Sequence, residues 1–92
     1  MAQLFVNQED YDLIRNKLDM VERNIVPEQH LEYDGLLELG ILQELLVERG
    51  YYVHDLRSYS NAVEVAFTNF TIVVDVVLYF DKGKSTVSIY VP

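Results

Sequence analysis

The residues of this chain with the most obvious chemical potential are carboxylates, and they crowd into one segment. Residues 28–48 contain six acids and no Lys or Arg. The six are Glu28, Glu32, Asp34, Glu38, Glu44 and Glu48. A spacing of four recurs three times in this set, and on a helix like charges at that spacing repel by roughly 0.2–0.5 kcal/mol per pair. Folding does not require such a pattern, so we interpret the segment as a charged binding surface.

Catalytic and metal-binding patterns are not found in the sequence. With no cysteine, the chain has neither a thiolate nucleophile nor a sulfur-based zinc site. His30 and His54 fit no metal or triad spacing, and the four glycines form no phosphate-binding loop. Asp75 is a lone acid in an apolar run, where a structural role or a place in a dimer contact is favoured over chemistry. We therefore expect a protein that is not an enzyme and needs no metal or cofactor.

The balance of charge predicts a basic partner. Seven Lys and Arg against fifteen Asp and Glu give a net charge of −8. Residues 1–50 hold eleven acids and four bases, whereas residues 51–92 hold four acids and three bases. This sign disfavours direct binding to nucleic acid or to an anionic membrane, because both are polyanions.

Two helices are predicted in the first half. Asn7 has the character of an N-cap, and an apolar stripe at helical spacing extends to about Asn24, where Pro27 follows. A second helix is predicted over about residues 34–49, ending at Gly50, with a short turn over residues 28–33 before it. This helix has a second apolar arc, Leu37, Ile41 and Leu45, which must face another helix or another subunit.

After Gly50 the apolar period changes to two, which predicts strands. The expected strands are residues 51–57, 62–68, 72–80 and 86–91, with a possible edge strand at residues 3–6. The expected fold is therefore a single α+β domain over residues 1–92, with two N-terminal helices packed on an antiparallel sheet of about four strands. No secretory signal is recognisable at the start, so a cytoplasmic location is expected.

Three functions remain open for the acidic segment. Acids three or four residues apart on a helix lie roughly 5–6 Å from each other, so such a surface can compete with duplex DNA for the Lys and Arg of a DNA-binding protein. The same field suits a dedicated inhibitor or antitoxin that blocks one cationic nuclease, with aromatic side chains as hot spots. The third possibility is a solvated face that only keeps the protein in solution.

In size, acidic layout and lack of a catalytic set, the chain resembles the anti-restriction nuclease (Arn) family of T-even phages, which are dimeric DNA mimics. Other anti-defence proteins, including CRISPR inhibitors, share these gross features. The resemblance implies a homodimer that acts in the host cytoplasm on a restriction nuclease, with Leu37, Ile41 and Leu45 helping to pair the subunits. It also implies a set of phosphate mimics. These would be Glu9, Asp10, Asp12, Glu28, Glu32, Asp34, Glu38, Glu44 and Glu48.

Overall fold

The computed structural model describes residues 5–92 and contains two helices and five strands. In chain order these are α1 (Gln8–Glu22), β1 (Glu28–Tyr33), α2 (Leu39–Val47), β2 (Tyr52–Ser58), β3 (Ala62–Thr68), β4 (Val73–Tyr79) and β5 (Lys84–Tyr90). The predicted α+β class with two helices and an antiparallel sheet is confirmed. Half of the possible strand at residues 3–6 lies outside the described residues, and in its described half Phe5 forms an isolated parallel bridge with Leu36.

Helix α1 begins where the sequence predicts. Asn7 is its N-cap, and the Asn7 backbone N–H donates to the Asp10 carboxylate at 3.2 Å, so a free donor at the helix start is satisfied by a first-turn acid. The apolar stripe of α1 is buried. The helix ends at Glu22, and Asn24 then adopts a left-handed conformation with φ of 59° before the chain turns into β1.

The segment between the helices differs from the prediction. Residues 28–33 form strand β1 instead of a turn, and α2 begins at Leu39 rather than near Asp34. Gly35 and Leu37 are held in a buried loop by the hydroxyl of Ser85, which donates to Gly35 O at 2.7 Å and accepts from Leu37 N–H at 2.9 Å. These bonds replace the first helical turn that the local sequence favours.

The five strands form one antiparallel sheet in the order β1-β5-β4-β3-β2. Strands β2 to β5 are a meander, and β1 adds to β5 as a fifth strand, so β1 and β2 are the two edges. A bulge interrupts the β2–β3 register between Val53 and Asp55. The register puts alternate side chains on opposite faces, as the two-residue period of a strand requires.

The helices cover one face of this sheet. Helix α1 packs over β1 and β5, and α2 packs toward β2. Between the layers lies a single core to which both helices and the inward residues of the strands contribute. The other face is not covered by any described element, which is a common arrangement for an antiparallel sheet. We call it the helix-free face.

Candidate functional site

The N-terminal end of α1, the end of β1 and the start of α2 meet at one corner of the molecule. The Tyr33 hydroxyl donates to Asp10 O at 3.4 Å, and the Glu38 backbone N–H donates to the Tyr11 hydroxyl at 2.9 Å. These contacts join residues more than twenty positions apart in the sequence. They bring the acids at the start of α1 close to the loop between β1 and α2, which carries further acids.

We call these acids the acidic corner; they are Glu9, Asp10, Asp12, Asp34 and Glu38. All but Asp10 are exposed. Their field acts on the two tyrosines that hold the corner together. Burial raises the pKa of Tyr11, and the charges of Glu38 and Asp10 raise it further. Burial, with the Asp10 charge as a smaller cause, raises the pKa of Tyr33 to about 12.

Little positive charge balances the acidic corner. Arg15 pairs with Asp12 at 3.0 Å and Lys84 pairs with Asp34 at 3.5 Å, and both pairs are exposed to solvent. Surface pairs of this kind contribute about 0–1 kcal/mol and hold their side chains weakly. Within residues 5–92, Glu9, Asp10 and Glu38 have no Lys or Arg partner. The corner therefore presents net negative charge to solvent.

The opposite ends of the two helices are organised differently. Arg49 lies between α1 and α2 and donates to Asp19 at 2.6 Å and to Glu22 at 2.9 Å, while the Tyr51 hydroxyl donates to Glu22 at 2.9 Å. The hydrogen bond from Arg49 lowers the pKa of Asp19. Because Glu38 contacts the start of α1 and Arg49 contacts its end, the helices run in the same direction. The acids at this end share a half-buried Arg49, whereas those at the corner have only the two exposed pairs or no basic partner.

The other four predicted acids do not form one array with the corner. Glu44 and Glu48 are exposed on α2 and at its C-cap, about 6 Å apart along the helix axis. Glu28 and Glu32 are exposed on β1, where four residues span about 13 Å and the register places both side chains on the helix-free face. The helical spacing predicted for Glu28 with Glu32, and for Asp34 with Glu38, is therefore wrong, because those residues lie in a strand and a loop.

The three residues expected to pair two subunits have unequal access to solvent. Leu37 is 1% exposed and Leu45 is 4% exposed, and both belong to the core of their own chain. Ile41 is 39% exposed, so of these three residues it is the one whose side chain could contact a second subunit. Two of the three residues of the predicted second apolar arc are therefore buried by packing within the chain, and Leu37 lies in the loop before α2.

The histidines both lie in edge strands. His30 Nδ1 is 2.9 Å from Ser88 Oγ, and His30 Nε2 is 3.4 Å from a carboxylate oxygen of Glu32, on the helix-free face. His54 is exposed in β2 at the bulge. No group of three His, Cys, Asp or Glu side chains in the described part of the chain is arranged to hold a metal ion.

A carboxyl pair on the helix-free face is the feature that the sequence interpretation missed. Asp75 in β4 lies opposite Ala66, which makes Glu64 in β3 its diagonal neighbour on the same face. Burial, and next the neighbouring Glu64 carboxylate, raise the pKa of Asp75 to about 7. One feature of the sequence could have indicated this pair: Glu64 shares its face of β3 with Ala62 and Ala66, which leave room beside it.

The same face carries exposed aromatic side chains beside this pair. Phe70 is 88% exposed and its ring centroid lies 5.5 Å from that of Tyr52. A shallow depression of about 520 Å³ lies between these rings and the carboxyl pair, with Arg57 and Tyr90 also on its walls. It combines apolar and charged walls and is open to solvent.

Comparison with known proteins assigns the chain to no group: no protein-family model matches it, and no curated protein or solved structure matches it significantly. Neither helix in residues 5–92 is long and apolar enough to span a lipid bilayer. The function is therefore inferred from the site itself.

Proposed function

We propose that the protein is a non-enzymatic inhibitor that acts as a DNA mimic and blocks the DNA-binding surface of a host defence protein of the restriction-endonuclease type. The observation that carries this proposal is the acidic corner, where Glu9, Asp10 and Glu38 have no basic partner among the described residues. Lys and Arg that bind the phosphates of DNA respond to charge and spacing, not to base identity. A surface of unpaired carboxylates can occupy them.

Two further features support the proposal. Glu44 and Glu48 continue the negative charge along α2, which starts at the corner with Glu38 as its N-cap. Their spacing of about 6 Å along the axis is of the same order as the separation of neighbouring phosphates along a DNA strand. At the far ends of the helices, the acids pair with Arg49 and join α1 to α2. Glu38 at the corner has no such pairing.

Displacement of DNA tests this function. A labelled duplex is bound to each of several DNA-binding proteins of unrelated folds, restriction endonucleases among them, and the protein is titrated in while anisotropy is followed. We expect displacement in more than one case, weaker at 200 mM than at 50 mM salt because exposed charges are screened. Reversal of Glu38, Glu44 and Glu48 to Lys should lower the potency at least tenfold while the circular dichroism spectrum is kept.

A matched control separates local from total charge. Glu38→Lys and Asp81→Lys each raise the net charge from −8 to −6, and both positions are exposed. Asp81 lies in the turn after β4, outside the predicted set. Only Glu38→Lys should weaken displacement. Equal effects of the two variants, or no displacement of any duplex by the unaltered protein, would contradict the DNA-mimic function.

A dedicated inhibitor of one nuclease is the second candidate, favoured by the exposed rings of Phe70 and Tyr52 on the helix-free face. Aromatic side chains of this kind are common hot spots in protein interfaces. Such an inhibitor would bind one protein and ignore competing DNA, and Phe70→Ala would weaken it. If the protein is a DNA mimic, Phe70→Ala should leave its displacement of duplex DNA unchanged.

A further inference from the structure

Strand β2 is an unprotected edge of the sheet. All seven of its residues are exposed, including the apolar Leu56 at 64% and Val53 at 46%. Natural edge strands are usually kept short, heavily charged or covered, because their free N–H and C=O groups pair with other strands. The bulge lies at the start of β2 and leaves residues 55–58 in regular register with β3. This segment is able to accept another strand.

The two edges of the sheet differ in charge. Edge β1 carries Glu28 and Glu32, with Asp34 directly after it, and has no Lys or Arg. Two copies meeting there would bring six carboxylates together. Edge β2 carries one acid and one base, Asp55 and Arg57, which pair at 3.0 Å within the chain. In a chain of net charge −8, the neutral β2 edge is where a second copy can approach with little repulsion.

Among centres on Asp55, Leu56 and Arg57, symmetry and charge together favour one register for such a pair. A two-fold axis that pairs two copies of β2 antiparallel stands perpendicular to the sheet, and residues directly opposite each other point to the same face. Because side chains alternate between faces, such residues differ by an even number in sequence. The axis therefore passes beside one residue, which lies opposite its own counterpart. Centred on Asp55 or on Arg57, the pairing places like charges opposite, which is destabilising. Centred on Leu56, it places Asp55 opposite Arg57 of the second copy, twice, and Leu56 opposite its own counterpart. The exposed Leu56 side chains then cover each other.

We propose that two copies of this chain associate through β2, antiparallel and centred on Leu56, to form a continuous ten-stranded sheet with all four helices on one face. This interface goes beyond the DNA-mimic function, since it uses none of the nine predicted phosphate mimics. It also provides a subunit contact that Leu37 and Leu45 cannot provide from the core.

A single cysteine tests the register directly. The chain has no cysteine of its own, so Leu56→Cys introduces one thiol per copy. Opposite residues have Cβ atoms roughly 4.5–5.5 Å apart, close to disulfide geometry. Under mild oxidation we expect nearly complete covalent dimer for Leu56→Cys and little for Phe80→Cys, which is exposed in the turn after β4. Equal cross-linking of the two variants would overturn the register.

A charge exchange tests the interface without cross-linking. Sedimentation velocity should give the unaltered protein a mass of twice 10.7 kDa. Arg57→Asp should weaken the dimer at least tenfold, because four acids then meet at the axis, and the double change Asp55→Arg with Arg57→Asp should restore it. A monomeric unaltered protein, or a dimer insensitive to Arg57→Asp, would overturn the proposal. Loss of folding is recognised by circular dichroism, and a folded double variant that stays monomeric would also overturn the proposal. Since Arg57→Asp keeps every acid of the corner, dimerisation and DNA displacement are tested separately.

Discussion

Replacement of Asp75 by Asn should stabilise the protein at pH 8 and leave it nearly unchanged at pH 4. Asp75 is half-buried in the central strand β4, and its Oδ1 atom is buried with no hydrogen-bond partner among the described residues. Its ionised form is penalised first by burial and then by Glu64. The Asn side chain removes the charge, keeps the shape and has an amide that can donate to Glu64.

The direction of the effect follows from proton linkage. The pKa of Asp75 is raised from the ordinary value of 3.8 to about 7 in the folded protein. The folded state therefore holds more protons than the unfolded state between these values. The stability contributed by the protonated carboxyl is fully present below pH 3.8 and is lost as the pH rises through about 7. The shift corresponds to at most about 4 kcal/mol. Water reaching the half-buried group reduces this, so we expect the variant to gain about 1–2 kcal/mol at pH 8.

Urea unfolding followed by circular dichroism at pH 4, 5, 6, 7 and 8 measures this gain. The quantity of interest is the difference in unfolding free energy between the variant and the unaltered protein at each pH, because titration of the other acids largely cancels. Glu44→Gln is the matched control, since it removes one carboxylate from an exposed helix position. A difference that stays constant with pH, or a variant less stable than the unaltered protein at pH 8, would refute a burial penalty at Asp75.

Two further predictions concern the fold. Ser85→Ala should lower the unfolding free energy by about 2–3 kcal/mol, because it leaves the buried Gly35 carbonyl and Leu37 N–H without their partner. As a control, Ser88→Ala on the helix-free face should lower it by less than about 1 kcal/mol. Equal urea midpoints for the two variants would contradict this prediction. Gly40→Ala should stabilise the protein by about 0.5–1 kcal/mol, because Gly40 lies in α2 with free space at the Cβ position. Gly50→Ala should destabilise it by about 1 kcal/mol, because the φ of Gly50 is +88°. Thermal melting in which both variants shift the melting temperature in the same direction would contradict this prediction.

The sequence predicted the elements whose apolar period is strong and missed the one that depends on tertiary pairing. Helix α1 and strands β2 to β5 lie within about two residues of their predicted bounds. Strand β1 carries two acids four residues apart and has little β propensity, yet its inward residues Leu31 and Tyr33 pack against the core once β5 pairs with it. The start of α2 was placed too early because nothing local reveals the hydrogen bonds of Ser85 to Gly35 and Leu37.

The candidate site illustrates the same limit. The sequence shows how many acids the segment carries. The assumption of one helix over residues 34–49, however, gave the wrong distance between Asp34 and Glu38. Their actual partners are distant in sequence: the Glu38 N–H donates to the Tyr11 hydroxyl, and Asp34 pairs with Lys84. The Asp75–Glu64 pair required the strand register, which sequence alone leaves open by one residue in either direction.

The acidic corner and the β2 edge are compatible because α1 packs over β1 and β5, whereas β2 is the opposite edge of the sheet. Adjacent strands are about 4.8 Å apart, so β1 lies about 19 Å from β2, and β2 pairing would keep the acids of β1 far from the dimer axis. Across the ten strands of the proposed dimer, the two β1 edges would be separated by about 43 Å along the sheet. At 3.4 Å per base pair, this corresponds to about 13 base pairs of duplex. Pairing through a neutral edge would thus lengthen the acidic surface without placing like charges in contact, which a dimer through β1 could not do.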